Sequence, residues 1–275
     1  MPDYSVARRL SPNAVALGCV SLLTAVSSAM IHSLLPIYLV RVLGASITTL
    51  GLIEGAAEAA SALLKLFSGT LSDRLGRRKP LLVLGYALSA GVKTLFPLAS
   101  SASTVLFARV AERLGKGLRD APRDAFLADI TPPEVRGAGF GLRLAMAFAG
   151  FVVGPLIATA LMRISNDDYR LVFWGALVPA YFAVLLVLLA IKEEPRPRDA
   201  CPPAIRWTDI AALPPALWWT IAMAGVLSLA RFSPAFLILK VHDIGVDAAY
   251  VPLCLMHVSH VLPHSLPFGY VIGSF

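Results

Sequence analysis

Charge is scarce in this sequence. Only 15% of its 275 residues are Asp, Glu, Lys or Arg, while 57% are hydrophobic and the mean hydropathy is +0.73. That balance lies outside the range of soluble domains and excludes an ordinary water-soluble fold. Cysteine is nearly absent: Cys19, Cys201 and Cys254 are far apart and match no metal or redox spacing, so they read as small apolar fillers and form no disulfide framework. No nucleophile constellation and no Gly-x-x-x-x-Gly-Lys-Ser/Thr loop occurs, so neither catalysis nor nucleotide-driven work is supported, and no cofactor is implied. The net charge of +7 does not point to nucleic acid, because the basic residues cluster between apolar runs as they do in cytoplasmic membrane loops.

What the chain does have is a series of apolar runs, each near the 20 or so residues that a bilayer span requires. Spans are expected at about 13–40, 47–67, 80–99, 103–127, 137–162 and 171–191. Arg8 and Arg9 precede the first of them, but that run is too long for a signal peptide and is followed by more spans, so it reads as a retained helix. A polar, Pro-rich segment, Lys192 to Asp199 running into Ile205 to Asp209, reads as a linker between halves, and a seventh span follows at about 215–239. The organisation is therefore all-α and polytopic: residues 1–192 form a six-helix half, 193–214 a linker, and 215–275 the start of a second half with helix 7 and a poorly formed helix 8. In that last segment His257, His260 and His264 recur at helical spacing, but Pro263 kinks their shared face, so they read as scattered polar residues and no metal site is assigned.

Arg8, Arg9, the Arg74 to Lys79 cluster, Arg136, Arg196, Arg198 and Arg206 fall on one side if the spans alternate. The other side has little more than Arg41, Arg163, Arg170 and Lys240. The positive-inside rule then places the N-terminus and the linker in the cytoplasm of a cell-membrane protein.

One stretch is specific. Gly69-Thr70-Leu71-Ser72-Asp73-Arg74-Leu75-Gly76-Arg77-Arg78-Lys79 is too polar to lie in hydrocarbon, and it reads as a tight loop at the membrane surface. Its pattern, Gly-x-Leu-x-Asp-Arg-x-Gly-Arg-Arg-Lys, resembles the loop between helices 2 and 3 of the major facilitator superfamily. The resemblance implies a charge latch between two six-helix halves, with Gly69, Asp73, Arg74, Gly76 and Arg77 in that role. It also implies that Asp73 latches against a helix of the C-terminal half that lies beyond the last residue of this sequence. The fifth span carries Gly141, Gly150, Gly154 and Pro155, similar to the family's antiporter signature, although Ala158 and Thr159 stand where that pattern has paired glycines. Glycines permit close helix approach and a proline adds a kink.

The fourth span is unusually charged, with Arg109, Glu112, Arg113, Lys116, Arg119, Asp120, Arg123 and Asp124. Arg109, Arg113, Lys116, Asp120 and Arg123 share a face, and Glu112 with Lys116, and Lys116 with Asp120, are spaced to pair. Such a face must look into a watery cavity or at partner acids. Arg109 and Glu112 also resemble the superfamily's Arg-x-x-Gln, with Arg113 where a glycine is typical. In the second span Glu54, Glu58 and Lys65 form a stripe with Glu58 near mid-membrane. A carboxyl there can exchange a proton as its surroundings switch, with Arg109 or Arg113 as partner, or it can be a fixed ion pair that orients two helices. Arg143 is placed to bind an anionic group or an acid, and the branch of the family that this chain resembles has an acid one turn later, where Ala147 stands. His32 reads as a packed polar residue.

The resemblance implies secondary transport of a small molecule, with protons as the coupling partner and export as the direction, by rocking of the halves in a lipid bilayer. The rival reading is a truncated remnant or an interaction module that transports nothing alone. A lone half exposes its charged fourth helix to lipid, so a partner half or a homodimer would complete it.

Overall fold

A computed structural model of the chain describes residues 11–193, 214, 217–220, 222–223 and 233–253. Most of the linker, about half of the seventh span, and the segment with His257, His260, His264 and Cys254 lie outside them, as does Cys201. All regular structure among the described residues is helical. The helices are α1 (Pro12–His32), α2 (Ile47–Leu75), α3 (Lys79–Lys93), α4 (Ala102–Ile130), α5 (Arg136–Ile164), α6 (Tyr169–Ala190) and α7 (Pro234–Asp243).

Local chemistry sets the ends. Ser11, Ser46, Ser101 and Asp168 each cap a helix by accepting hydrogen bonds from backbone N–H groups in the first turn of α1, α2, α4 and α6. Two of the expected spans are broken. The first was expected to run to residue 40, but α1 stops at His32 and resumes as Leu35–Ile37 and a π-helical turn over Tyr38–Val42. Pro36 has no N–H to give the His32 carbonyl, so the α-ladder cannot pass. Pro97 does the same to the Lys93 carbonyl, and α3 yields at Thr94 to a short turn at Leu95–Leu98. The second span departs in the other direction. It was expected to end near 67, but α2 continues to Leu75, and Gly76 terminates it in the left-handed region at φ 61°. The loop expected over 69–79 is thus only Gly76 to Arg78, and Gly69, Asp73 and Arg74 are helical.

Five of the described helical stretches, Pro12–Val42, Ile47–Leu75, Lys79–Leu98, Pro133–Ile164 and Tyr169–Ala190, are long and apolar enough to cross a membrane. The remaining long helix, α4, has 29 residues, about 43 Å at 1.5 Å per residue, but too much charge to qualify by composition. Packing resolves the conflict. Helix α4 lies against α2 and α3, α1 lies against α5 and α6, and α3 touches α6. Exchanging α1 with α4, α2 with α5 and α3 with α6 maps the first four of these contacts onto one another and the α3–α6 contact onto itself, the arrangement of an internal repeat. The charged face of α4 is therefore turned inward, with Arg109, Glu112, Arg119 and Asp120 buried, while Leu52, Phe182, Leu189 and α4's own Phe107 lie on the outside, so the half does not expose this face, contrary to expectation.

Two apolar clusters hold the bundle. One lies at the end where α1 breaks: Tyr38 stacks edge-on with Phe173 at 5.3 Å and donates its hydroxyl to Ala99 O at 2.7 Å, and Ala235, Ile238 and Leu239 of α7 pack into the same cluster. The other joins Leu17, Leu82, Tyr86, Phe126, Leu127 and Val187 near the opposite end. Close approach of α1 and α5 depends on Gly150 and Gly154. A Cβ on Gly150 would lie 2.6 Å from Leu22 O, and one on Gly154 would lie 2.7 Å from Val26 O. Gly141, the third glycine of that pattern, has nothing within 4 Å of its would-be Cβ, and Pro155 is buried within the helix.

Candidate functional site

Between the two clusters sits a network of charge. Arg109 of α4 is only 3% exposed and reaches across to α2, where its Nε and Nη2 donate to the two carboxylate oxygens of Glu54 at 2.8 and 2.9 Å. Its Nη1 donates to Glu112 Oε2, one turn along the same helix, at 3.0 Å. Lys93, fully buried on α3, donates to Ser27 Oγ at 2.7 Å and Ser28 Oγ at 3.0 Å, with its ammonium 3.7 Å from Glu112 Oε1. Two cations and two carboxylates thus neutralise one another, which is the condition for burying any of them. His32, the last residue of α1, sets Nε2 against Arg109 Nη1 and 3.3 Å from Glu112 Oε2. The ring nitrogen stands between a donor and an acceptor: neutral, it accepts from Arg109, and protonated, it donates to Glu112.

The ladder continues one turn along both helices. Glu58 and Arg113 pair at 3.2 Å, but the Glu58 side chain is 68% exposed, against 17% for Glu54. Glu58 was singled out from the sequence for its mid-span position; of the stripe, Glu54 is the member that lies in the buried network. Glu112, spaced to pair with Lys116, turns to Arg109, Lys93 and His32. Asp120, spaced for the same lysine, pairs with Arg123 at 2.9 Å, and Arg123 also meets Asp124 at 3.0 Å. Arg143 finds its acid across the bundle in Asp124, 3.8 Å away, where a partner on its own helix is lacking. Arg119 donates to Ser89 Oγ at 2.6 Å and lies 4.4 Å over the Tyr86 ring.

A cavity of about 140 Å³ opens where α7 meets the bundle. Arg109, Arg113, Glu54 and His32 line it, with Phe151 of α5 on one wall and Ser233 to Ala235 at the start of α7 on another. Beyond it, Arg41 and Asp243 pair at 2.6 Å and Arg163 lies 5.3 Å from the Tyr250 ring, joining the α7 segment to the ends of α1 and α5. Among the described residues no group of His, Cys, Asp or Glu could hold a metal ion.

At the other end of the bundle the residues expected to form a latch are divided. Asp73 lies 3.4 Å from Arg78, and Arg78 pairs with Asp129 at the end of α4 at 2.7 Å, while Arg74 and Arg77 are exposed. The backbone N–H groups of Arg78 and Lys79 donate to the Glu193 carboxylate at 2.5 and 2.8 Å, which caps α3 from the far side of α6. Lys79 Nζ returns the favour by donating to Leu188 O and Ile191 O at the end of α6. Sequence reasoning passed over Lys93, Arg78, Asp129 and Glu193 and took His32 for packing. A lone lysine within an apolar span was the available signal for Lys93.

Comparison with known proteins agrees with this geometry. Residues 17–272 match the profile of the Major Facilitator Superfamily. An uncharacterized MFS-type transporter of Methanocaldococcus jannaschii is 33% identical over 271 residues, covering 95% of this chain and 66% of the relative. The quinolone resistance protein NorA of Staphylococcus aureus is 28% identical over 161 residues, 58% of this chain and 38% of NorA. A solved structure of a bacterial homologue of the human lysosomal transporter Spinster, inward-facing and occupied, has a TM-score of 0.71 at 19% identity. It covers 88% of this chain and 57% of that one, a likeness of fold. The chain spans 66% and 53% of the first two curated relatives, so it corresponds to roughly half to two thirds of their length. The loop motif, the six-helix bundle with its internal repeat and the profile match lead to one conclusion: the chain belongs to the Major Facilitator Superfamily and is a multi-pass membrane protein.

Proposed function

We propose that the protein carries a small molecule across the cell membrane by alternating access and exports it in exchange for protons. Residues 1–192 act as one half, the linker is cytoplasmic, and the α7 segment begins the second half. The observation that carries this reading is the Arg109–Glu54–Glu112 network, buried in mid-bundle yet bordering the cavity that α7 closes. A carboxylate held by a guanidinium at a cavity wall can take a proton only when that pair is loosened, which ties proton uptake to a rearrangement of α2 against α4. Glu54 is the first candidate for coupling, and Glu58, with its exposed carboxylate, the second. Likeness to a quinolone resistance protein and the tight Gly150 and Gly154 packing of α5 favour export.

The test is flux in proteoliposomes that contain the chain, under an imposed pH gradient, with norfloxacin, ethidium and benzoate as probes. The expected result is gradient-driven accumulation of at least one probe, with Glu54→Gln losing the drive but keeping downhill exchange. If no probe moves faster than in empty liposomes, transport by this chain is refuted.

A further inference from the structure

Arg113 differs from every other charge at the cavity. Arg109 is saturated, with Glu54 on two donors and Glu112 and His32 on a third. Glu54 is saturated in return, and Glu112 is shared among Arg109, Lys93 and His32. Arg113 has one ion pair, through Nη1, with a carboxylate that is mostly exposed and therefore weakly held. Its Nε is buried and has no hydrogen-bond partner among the described residues, although Arg113 lines the cavity. A buried guanidinium N–H without an acceptor is costly, so Arg113 gains by turning its fork toward an acceptor in the cavity it lines.

Among the described residues the cavity lining has two guanidinium groups, Arg109 and Arg113, and one carboxylate, Glu54, while Glu112 and Glu58 pair with the same arginines from outside the lining. Among the described residues the other facing elements contribute no charge: α5 contributes Phe151 and α7 contributes Ser233, Pro234, Ala235 and Ile238. The volume, about 140 Å³, is that of a site for one benzene-sized group. A guanidinium fork matches the two oxygens of a carboxylate in geometry as well as in charge.

We propose that the cavity takes a small organic anion, with Arg113 as the residue that grips its carboxylate. This names the substrate class of the site in the transport reading and rests on that reading for its role, but it is decided by binding alone.

The experiment compares benzoate with benzamide, matched in shape and different in charge, by calorimetry on the full chain in nanodiscs. Benzoate is expected to bind at least tenfold more tightly than benzamide. Arg113→Gln should level the two, and Arg113→Lys should keep the preference for benzoate while weakening it severalfold, because an ammonium lacks the fork. Should Arg113→Gln fail to fold by gel filtration, the Arg113→Lys comparison decides. Equal binding of the two probes, binding of neither, or full benzoate affinity in either variant overturns the proposal. Loss of flux in liposomes with Arg113-dependent benzoate binding intact would instead remove the transport reading and leave the anion site standing.

Discussion

Glu54 holds Arg109 with both carboxylate oxygens, at 2.8 and 2.9 Å, and this one bidentate pair joins the two helices that carry most of the chain's intramembrane charge. Removing either partner leaves a buried charge without its counter-ion. Arg109→Met is therefore predicted to destabilise the bundle by about 3–5 kcal/mol, the range for breaking a buried pair. The double variant Glu54→Gln with Arg109→Met should be more stable than the sum of the singles, by 1 kcal/mol or more in order of magnitude. Unfolding in detergent followed by intrinsic fluorescence measures all three, and strictly additive losses would mean that the pair is not coupled.

Lys93 secures α3 to α1 and α4 at once, through two serine hydroxyls and the Glu112 carboxylate. Lys93→Met strips a cation from the network and leaves Glu112 in excess, for a predicted loss of roughly 1–3 kcal/mol from unsatisfied polar groups. Adding Glu112→Gln restores charge balance, so Lys93→Met with Glu112→Gln should recover part of the loss. A double variant less stable than Lys93→Met alone would show that the lysine acts through its serines and not through Glu112. The readout is the unfolding midpoint in the same detergent.

How much of this was legible beforehand depended on distance along the chain. The capping serines, the apolar runs and the charge of α4 are local, and they fix the helices to within a few residues except where a proline or a solvated extension intervenes. Arg109 and Glu112 were visible because charge in an apolar span is conspicuous. Lys93 was equally conspicuous as a lone lysine in an apolar span, but its role was not legible, since its partners Ser27, Ser28 and Glu112 belong to other helices and nothing periodic on α3 announces them. Glu54 and Glu58 lie one turn apart on a single stripe, and only the packing of α2 on α4 buries the first and exposes the second. That Arg78, and not Arg77, pairs with Asp73 depends likewise on where Gly76 ends α2 and on Asp129, more than 50 residues away.

Glu193 ties the beginning of the linker to the start of α3 by accepting from the N–H groups of Arg78 and Lys79. A helix N-terminus has unpaired donors and a partial positive charge, so a carboxylate there is worth about 1 kcal/mol. Glu193→Ala is predicted to speed amide exchange at residues 78 and 79 by about fivefold while leaving α4 and α5 unchanged, which hydrogen exchange with mass spectrometry can resolve. Unaltered exchange at these amides would mean that the cap does not persist in solution.

The glycines of α5 separate packing from mere resemblance to a motif. A Cβ at Gly150 or Gly154 meets α1 backbone at 2.6 or 2.7 Å, where nothing flexible can give way, whereas a Cβ at Gly141 meets nothing within 4 Å. Gly150→Ala and Gly154→Ala must push α1 and α5 apart, a cost of about 1–3 kcal/mol each by analogy with overpacked cores. Gly141→Ala should be neutral or stabilising by up to about 1 kcal/mol, because alanine loses less chain entropy in a helix interior. Unfolding midpoints for the three variants check the order. If Gly141→Ala proves as damaging as the other two, position 141 is under a constraint that the six-helix half does not supply, and a surface that docks there becomes the next thing to find.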